Sequence, residues 1–207
     1  MLMRRKVDWD HIYKKGAHWE CEPSRNMQLF VKYLSRGDKI LDAGCGSGRD
    51  SIFLAKQGFE VWGVDISKEA IKKAKEKYKA KNLHFSVGDI QNLKFKDESF
   101  DAVYSGWVLH DLPLEKPASE IYRVLKKGGI AFLAFILNTN FLEEKRAVEY
   151  HKKSEIITVY KKKFKILKQI EFHEKGGGIG ILTTRLLNHT QPKIGCVFRR
   201  KPKGVSS

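Results

Sequence analysis

The residues that could do chemistry begin in the segment DAGCGSG, residues 42–48, where an acidic residue precedes three glycines at alternate positions. Glycines at this spacing permit a sharp turn and let a ligand approach the backbone closely. A phosphate-binding Walker loop needs a Lys-Ser or Lys-Thr pair after the glycines, and none follows here. A dinucleotide fingerprint counted from Gly44 and Gly46 would place its third glycine at Arg49. The spacing therefore favours neither ATP nor NAD.

The acidic residue ahead of the glycines, Asp42, indicates the charge of the ligand. A carboxylate there would repel a pyrophosphate, so we expect a ligand that carries a positive group. S-adenosyl-L-methionine has a cationic amino group and a sulfonium, and it has no phosphate. Asp65 follows the next predicted strand, 21 residues after Gly44, where its carboxylate could accept hydrogen bonds from both hydroxyls of a ribose. These residues predict S-adenosyl-L-methionine as the cofactor.

A third acidic residue, Asp89, follows the third predicted strand and could accept a hydrogen bond from an adenine amino group. Ile66 and Ile90 are the candidate apolar walls for the ring. The alternative for Asp89 is a turn, because Asp side chains often hydrogen-bond the backbone two residues on.

The elements that must position these residues alternate short apolar runs with longer amphipathic ones, which is typical of βαβ units in a parallel sheet. Strands are predicted over 38–43, 59–64, 83–87, 100–104 and 129–136. Helices are predicted over 24–34, 48–57, 67–81 and 117–128, the last one ending on Lys126, Lys127 and Gly128. Beyond residue 137 we expect a helix within 140–163, a loop over 174–180, and strands over 164–173 and 194–200.

Three linked segments together resemble a class I S-adenosylmethionine-dependent methyltransferase. They are ILDAGCGSGRDSIFLAKQGFEVWGVDISKEAI, VGDIQNLKFKDESFDAVYSGWVLHDL and IYRVLKKGGIAFLAF, and the resemblance covers residues 38–137. It implies an α/β Rossmann-like fold, a doubly wound seven-stranded sheet of order 3-2-1-4-5-7-6 whose last strand is antiparallel. It also implies a set of cofactor-binding residues, namely Asp42, Ala43, Gly44, Gly46, Gly48, Asp65, Ile66, Asp89, Ile90, Ser105 and Gly106. Ser105 and Gly106 would lie beside the methionine part.

The segment SGWVLHDLP follows the fourth predicted strand and would face the methyl acceptor. We hypothesise that His110, with its neighbour Asp111, contacts the acceptor and that His110 takes its proton. The alternative is that His110 only packs or caps the following helix. Trp107 stands in the same segment.

The N-terminal segment DWDHIYKKGAHWECEPS is similar to the lead-in of small-molecule methyltransferases of the tellurite-resistance and thiopurine type. Tyr13, His18 and Trp19, together with Trp107, could form a lid that excludes water from the site. Packing of a terminal helix against the domain is the alternative. Cys45, inside the glycine loop, is interpreted as a small residue tolerated in a tight turn rather than as a nucleophile.

Length and composition predict one domain over 1–207, with a lid segment (1–35), a cofactor-binding core (38–137) and a basic part that completes the sheet (138–207). The formal charge of +16 is concentrated at the end, since residues 150–207 hold 14 Lys or Arg and 3 Asp or Glu. Such asymmetry can serve nucleic acid, but the motifs expected of base or ribose methylation are missing, so nucleic acid is not favoured. No apolar run is long enough to span a bilayer, which predicts a cytoplasmic protein without a membrane partner. Nothing indicates a metal or a particular oligomeric state.

The predicted function is therefore methyl transfer from S-adenosyl-L-methionine to a small-molecule acceptor. An RNA or protein methyltransferase that binds its substrate through the basic C-terminal quarter is the alternative. A cofactor-binding protein without catalysis is a third hypothesis, since fold alone does not guarantee chemistry.

Overall fold

The computed structural model describes residues 7–16, 22–136, 151–173 and 192–200. Its helices are α1 (Trp9–Lys14), α2 (Arg25–Val31), α3 (Arg49–Lys56), α4 (Lys68–Lys77), α5 (Glu115–Val124) and α6 (Lys153–Lys161). Its strands are β1 (Lys39–Ala43), β2 (Glu60–Asp65), β3 (Leu83–Val87), β4 (Phe100–Gly106), β5 (Leu125–Ile136), β6 (Phe164–His173) and β7 (Pro192–Arg200). A short 3-10 helix, Leu109–Asp111, lies between β4 and α5.

In the described part of the chain the strands form a seven-stranded sheet of order β3-β2-β1-β4-β5-β7-β6. Neighbouring strands from β3 to β5 are parallel, while β7 is antiparallel to both β5 and β6. The predicted fold class and strand order are confirmed. Because the carboxyl ends of the parallel strands meet at one edge, this order brings the ends of β1, β2 and β4 together.

The two faces of the sheet each bury an apolar cluster, and β5 shows how the sequence divides between them. Ala131, Leu133 and Phe135 pack with α5 and α6, whereas the alternating Phe132 and Ala134 pack with α2 and α3. Successive side chains of a strand point to opposite faces, so a strand covered on both sides reads as one continuous apolar run. This explains the uninterrupted segment IAFLAFI in the sequence.

Helix boundaries follow local capping chemistry. The Ser24 hydroxyl accepts a hydrogen bond from the Met27 amide at 3.2 Å, and the Ser67 hydroxyl accepts one from the Ala70 amide at 3.1 Å. Each bond satisfies one of the amides that the first turn of a helix leaves unpaired. Ser67 is thus the N-cap of α4, at the start of the helix predicted over 67–81.

The predicted end of α5 at Lys126, Lys127 and Gly128 is wrong. The helix ends at Val124, and Leu125 already has an extended backbone and pairs with Phe100 of β4. The Lys-Lys-Gly-Gly run is typical of a helix C-terminus, but here it belongs to the first part of β5, where Gly128 has a φ of 75°. Tertiary pairing with β4 therefore overrides the local signal.

One further boundary differs from the prediction. Helix α4 ends at Lys77 rather than near 81, because Tyr78 is extended, with a φ of −123°. Helix α6 lies within the predicted range 140–163, and the loop predicted over 174–180 lies outside the described residues. Within the described ranges, no helix is long and apolar enough to cross a membrane.

Candidate functional site

The glycine loop forms the turn that its sequence predicts. Gly44, Gly46 and Gly48 have φ values of 86°, 55° and 86°, in the left-handed region that favours glycine. The amides of Gly44 and Cys45 both donate to the carbonyl of Val64, at 2.7 and 3.0 Å. These bonds fix the loop against the end of β2, and Gly48 is the N-cap residue directly before α3.

Two side chains stand directly against this loop. A Cβ atom added to Gly44 would collide with the side chain of Val108, and one added to Gly46 would collide with the Tyr13 hydroxyl. Glycine is therefore required at both positions for space as well as for backbone conformation. The loop is a close-fitting cradle, with Val108 from the segment after β4 on one side and Tyr13 from α1 on the other.

Asp65, at the end of β2, lies beside the loop as predicted. Its two carboxylate oxygens accept hydrogen bonds from the amides of Gly46 and Ser67, each at 2.9 Å. Burial raises the pKa of the Asp65 carboxyl, although the two amides act in the opposite direction. Each oxygen keeps a further lone pair. A carboxylate held rigidly next to the glycine loop can thus accept hydrogen bonds from vicinal hydroxyls.

Asp42 has a different role from the one its charge suggested. It is only 1% exposed, and one of its oxygens accepts a hydrogen bond from the Ser51 hydroxyl at 2.5 Å. Burial, reinforced by the nearby negative charge of Asp50, raises the pKa of Asp42 to about 7. The side chain therefore joins the end of β1 to α3 from below the loop, and near neutral pH it is partly protonated. Asp42 therefore repels a pyrophosphate less than a fully ionised carboxylate would.

A buried polar cluster that the sequence analysis missed lies between α2, α3 and β4. The Asp50 carboxylate accepts two hydrogen bonds from the Arg49 guanidinium, both at 3.1 Å, and one from the Ser24 amide at 3.2 Å. The Ser24 hydroxyl in turn lies 2.9 Å from the Tyr104 hydroxyl. Burial raises the pKa of the Tyr104 phenol, which stays protonated. The Tyr104 hydroxyl lies next to Gly106, so the cluster supports the end of β4.

The end of β4 is tied to the glycine loop through Ser105. Its buried hydroxyl donates to the carbonyl of Ala43 at 2.8 Å, which fixes the ends of β4 and β1 to each other. Trp107 follows with a φ of 62°, which is uncommon for a bulky side chain. This backbone conformation turns the chain so that Val108 packs on Gly44.

The structure locates His110 and Asp111 in the 3-10 helix at the carboxyl edge of the sheet. His110 is only 2% exposed, so its ring lies inside the domain, which agrees with the alternative that it packs against its neighbours. For Asp111 the backbone alone is described. Contact of either residue with an acceptor stays a prediction.

Helix α1 docks beside the glycine loop through contacts that link distant segments. One Asp10 carboxylate oxygen accepts hydrogen bonds from the Ser67 hydroxyl at 2.6 Å and from the Glu69 amide at 3.2 Å. These bonds lower the pKa of Asp10, so the carboxyl is ionised at neutral pH. The Lys73 ammonium donates to the carbonyl of Tyr13 at 2.6 Å. Tyr13 is thereby held at the loop, only 6% exposed.

His18 and Trp19, the other predicted lid residues, lie outside the described residues. Cys45 is buried beside Gly63, and burial raises the pKa of its thiol well above the ordinary value. A protonated buried thiol is a poor nucleophile, in agreement with the interpretation that Cys45 only fills the turn.

The predicted adenine site has two unlike walls. Ile66 is 44% exposed, whereas Ile90 is 6% exposed and packs in the apolar cluster under α5. One Asp89 oxygen accepts a hydrogen bond from the Gln91 amide at 2.8 Å, which is the turn that was the alternative for this residue. The turn and the adenine contact are compatible, since the other oxygen accepts no hydrogen bond from the residues that the structure describes.

A cavity of about 570 Å³ lies elsewhere, between the start of α5 and α6. It is lined by Pro113, Leu114, Glu115, His151, Ser154, Glu155, Thr158, Val159 and Lys162. None of these residues belongs to the predicted site, and the cavity does not reach the glycine loop. Across the described ranges, no group of three or more His, Cys, Asp or Glu residues is arranged to hold a metal ion.

Comparison with known proteins identifies the segment that contains this site. A family model described as a methyltransferase domain matches residues 41–133. The demethylmenaquinone methyltransferase of Staphylococcus haemolyticus is 41% identical over 123 residues, 57% of this chain and 49% of the relative. A 2-methyl-6-phytyl-1,4-hydroquinone methyltransferase of Synechocystis is 40% identical over 104 residues, 49% of this chain and 33% of the relative. The chain spans at most half the length of the curated relatives it matches.

Solved structures extend the similarity beyond this segment. A structure described as a SAM-dependent methyltransferase from Methanosarcina mazei aligns with a TM-score of 0.71 at 21% identity, over 88% of this chain and 100% of the other. At this identity the alignment establishes the fold alone, and it does so for nearly the whole chain.

Proposed function

Since residues 41–133 match a family model of a methyltransferase domain, we propose that this chain is a class I S-adenosylmethionine-dependent methyltransferase and that it methylates a small-molecule acceptor. The observation that carries the proposal is the close-fitting glycine cradle at the end of β1, with the Asp65 carboxylate hydrogen-bonded to its Gly46 amide at 2.9 Å. S-adenosyl-L-methionine is the cofactor of this family.

The residues at the loop fit this cofactor in size and chemistry. Gly44 and Gly46 give the loop its left-handed turn at the end of β1, and Asp65 offers acceptor lone pairs for the ribose hydroxyls. In the proposal Asp89 accepts from the adenine amino group, and Ile66 supplies the apolar contact for the ring. The end of β4, at Ser105 and Gly106, borders the methionine part.

When bound, S-adenosyl-L-methionine supplies an electrophilic methyl group on a sulfonium, and its positive charge disperses during transfer. The protein can accelerate such a displacement mainly by alignment and by exclusion of water. In the proposal, the end of β4 aligns the acceptor with the methyl group. It is held in place because Ser105 joins it to β1 and the cluster around Tyr104 supports it. Exclusion of water falls to Tyr13 on the docked helix α1 and to Trp107.

A general base is required only if the acceptor arrives protonated. His110 is our candidate for this role, and its burial means that it would act from within the acceptor site rather than from solvent. The acceptor would then pass its proton to the imidazole. Replacement of His110 by Ala should lower the rate and flatten its pH profile while cofactor affinity is retained.

The relatives guide the choice of acceptor. Two of them are named for methylation of demethylmenaquinone and of a phytyl hydroquinone, so hydroquinones are the first class to assay. The half-buried aromatic side chain of Trp107 suits a planar ring at the end of β4.

The test is incubation of the purified protein with methyl-labelled S-adenosyl-L-methionine and a cell extract that is then separated into metabolites, RNA and protein. We expect label in the metabolite fraction and none with Asp65→Ala. Label in RNA or protein would replace the small-molecule acceptor by a macromolecular one, and the basic C-terminal quarter would become its first candidate binding surface. Tight cofactor binding without label in any fraction would contradict catalysis.

A further inference from the structure

A dense row of lysines runs from the end of α6 into β6, and we name it the lysine ridge: Lys161, Lys162, Lys163, Lys165 and Lys168. No acidic residue interrupts residues 161–168. All members are exposed except Lys163, which is half-buried with its ammonium 5.5 Å from the centre of the Tyr122 ring. Strand β6 is the outermost strand of the sheet, so the ridge lies at an edge of the domain.

A β-bulge aligns two of these charges. Ile166 pairs with Phe198 and Lys168 pairs with Val197, so Leu167 is the extra residue on β6. Without the bulge Lys165 and Lys168 would point to opposite faces, because side chains alternate along a strand. With it, both lie on the face opposite Phe164. The bulge therefore concentrates positive charge on one side of the edge strand.

The lysines of α4 form a useful contrast, since residues 68–81 hold seven lysines. There Glu69 and Glu76 interrupt the row, Lys73 binds the carbonyl of Tyr13, and Lys75 and Lys77 stand in the last turn, where positive charge stabilises a helix. In the ridge, the ammonium groups of Lys162, Lys165 and Lys168 have no ion pair or hydrogen bond to any residue that the structure describes. These charges contribute little to the fold and remain available to a partner.

We propose that the lysine ridge binds the phosphodiester backbone of RNA. A run of ammonium groups without acidic neighbours matches a polyanion, whose binding gains from release of its counterions. An anionic membrane fits less well, because membrane binding also needs exposed apolar side chains. Within residues 161–168, Leu167 is the only large apolar side chain that is strongly exposed.

The position of the ridge separates it from the candidate active site. Since β6 runs parallel to β5, its Phe164 end lies at the edge of the sheet opposite the glycine loop. RNA bound there would be a docking partner rather than the methyl acceptor. The proposal does not depend on the proposed methyl transfer.

The experiment measures fluorescence anisotropy of a labelled 20-nucleotide oligo(U) RNA between 50 and 200 mM salt. The test variant is K161Q/K162Q/K165Q/K168Q, and the matched control is K72Q/K75Q/K77Q/K79Q, which removes the same four charges from α4 and the residues after it. We expect at least tenfold weaker binding for the ridge variant and less than a twofold change for the control. The slope of log K against log salt should fall by about 3 for the ridge variant, since single strands lose about 0.7 per phosphate contact.

Circular dichroism and thermal melting establish that both variants are folded, and K165Q/K168Q serves as a milder variant, for which about half the change in slope is expected. Equal weakening by the ridge and control variants would overturn the proposal, because binding would then follow net charge alone. The proposal would also be overturned if the wild-type protein did not bind the RNA at 50 mM salt, or if it bound phosphatidylserine vesicles more tightly than RNA. A ridge variant that aggregates with RNA affinity unchanged would show that the lysines only prevent pairing of the edge strand.

Discussion

The two ends of the site are built differently. At the cofactor end, β1 and β2 meet the glycine loop through backbone contacts, such as the Gly44 amide to Val64 and the Gly46 amide to Asp65. At the acceptor end, the close of β4 is held by side chains from segments far apart in sequence, including Ser24 with Tyr104. Backbone turns require particular residue types at fixed spacing, whereas a side-chain cluster can be assembled in many ways. The residues that build the cofactor end can therefore be predicted from the sequence, whereas the side chains that support the acceptor end cannot.

The largest effect should come from the loop itself. Gly44→Ala places a Cβ atom against Val108 and at a φ of 86°, and we expect binding of S-adenosylhomocysteine, measured by calorimetry, to weaken more than 100-fold. Gly37→Ala is the matched control, because Gly37 has a φ of 84° with open space around it. Both changes carry a left-handed backbone cost of about 1–2 kcal/mol, so the control accounts for that cost, and the variants differ in the collision with Val108 and in their position relative to the proposed ligand. Equal affinity in the two variants would mean that the loop is not the binding site.

The glycine loop could be predicted from local rules of residue type and spacing, whereas the sheet order was implied by the resemblance to class I methyltransferases. Three features escaped prediction for a common physical reason. Asp10 caps α4 across 57 residues, Asp50 joins α3 to Ser24, and Val108 closes on Gly44. Each depends on tertiary placement, which periodicity and spacing do not encode. The one partial signal was Asp50 in the first turn of α3, where an acidic residue can be explained by the helix dipole alone.

The early start of β5 has the same origin. Lys126, Lys127 and Gly128 satisfy the local rules of a helix end, yet Leu125 pairs with Phe100 across the sheet. A long-range partner decides the state of the segment, so a prediction from the segment alone reaches the wrong boundary.

A smaller effect, and one that depends on pH, is expected from Asp42. Its pKa of about 7 in the folded protein exceeds that of an unfolded carboxyl, about 3.9, so the folded state holds a proton that the unfolded state has lost. As the pH rises from 4 to 7, the free energy of unfolding of the wild type should therefore fall relative to that of Asp42→Asn, by on the order of 2–4 kcal/mol. Above pH 7 the difference between the two proteins should be constant. Urea unfolding at several pH values measures it.

Ser51→Ala provides the internal check on this assignment. The Ser51 hydroxyl stabilises the ionised form of Asp42, so its removal should raise the folded-state pKa and extend the upper limit of the window of stability loss to higher pH, while the lower limit, set by the unfolded carboxyl, stays the same. A window that stays in place would contradict the assignment of the titration to Asp42.

The contact between α1 and α4 tests whether the cofactor end extends to the N-terminal segment. Asp10→Asn weakens the acceptor for the Ser67 hydroxyl and the Glu69 amide, and we expect S-adenosylhomocysteine to dissociate three- to tenfold faster in stopped-flow fluorescence. Asp8→Asn is the control, since Asp8 caps α1 through the His11 amide without reaching α4. If both variants release the ligand equally fast, the stability of α1 rather than its docking on α4 governs the release of the ligand.

The smallest effect is expected at the acceptor end, from Tyr104→Phe. The ring keeps its packing against Phe30 and Phe132, and only the hydrogen bond to Ser24 is lost, which should lower the free energy of unfolding by about 1 kcal/mol. Because the hydroxyl supports Gly106 at the edge of the proposed cofactor site rather than the glycine loop itself, we expect kcat and the KM for the cofactor each to change less than threefold. A loss of cofactor affinity comparable to that of Gly44→Ala would show that the buried polar cluster and the glycine loop act as one unit. The division between the two ends of the site would then be wrong, since a side chain 60 residues away from the loop in sequence would govern the loop as strongly as its own glycines do.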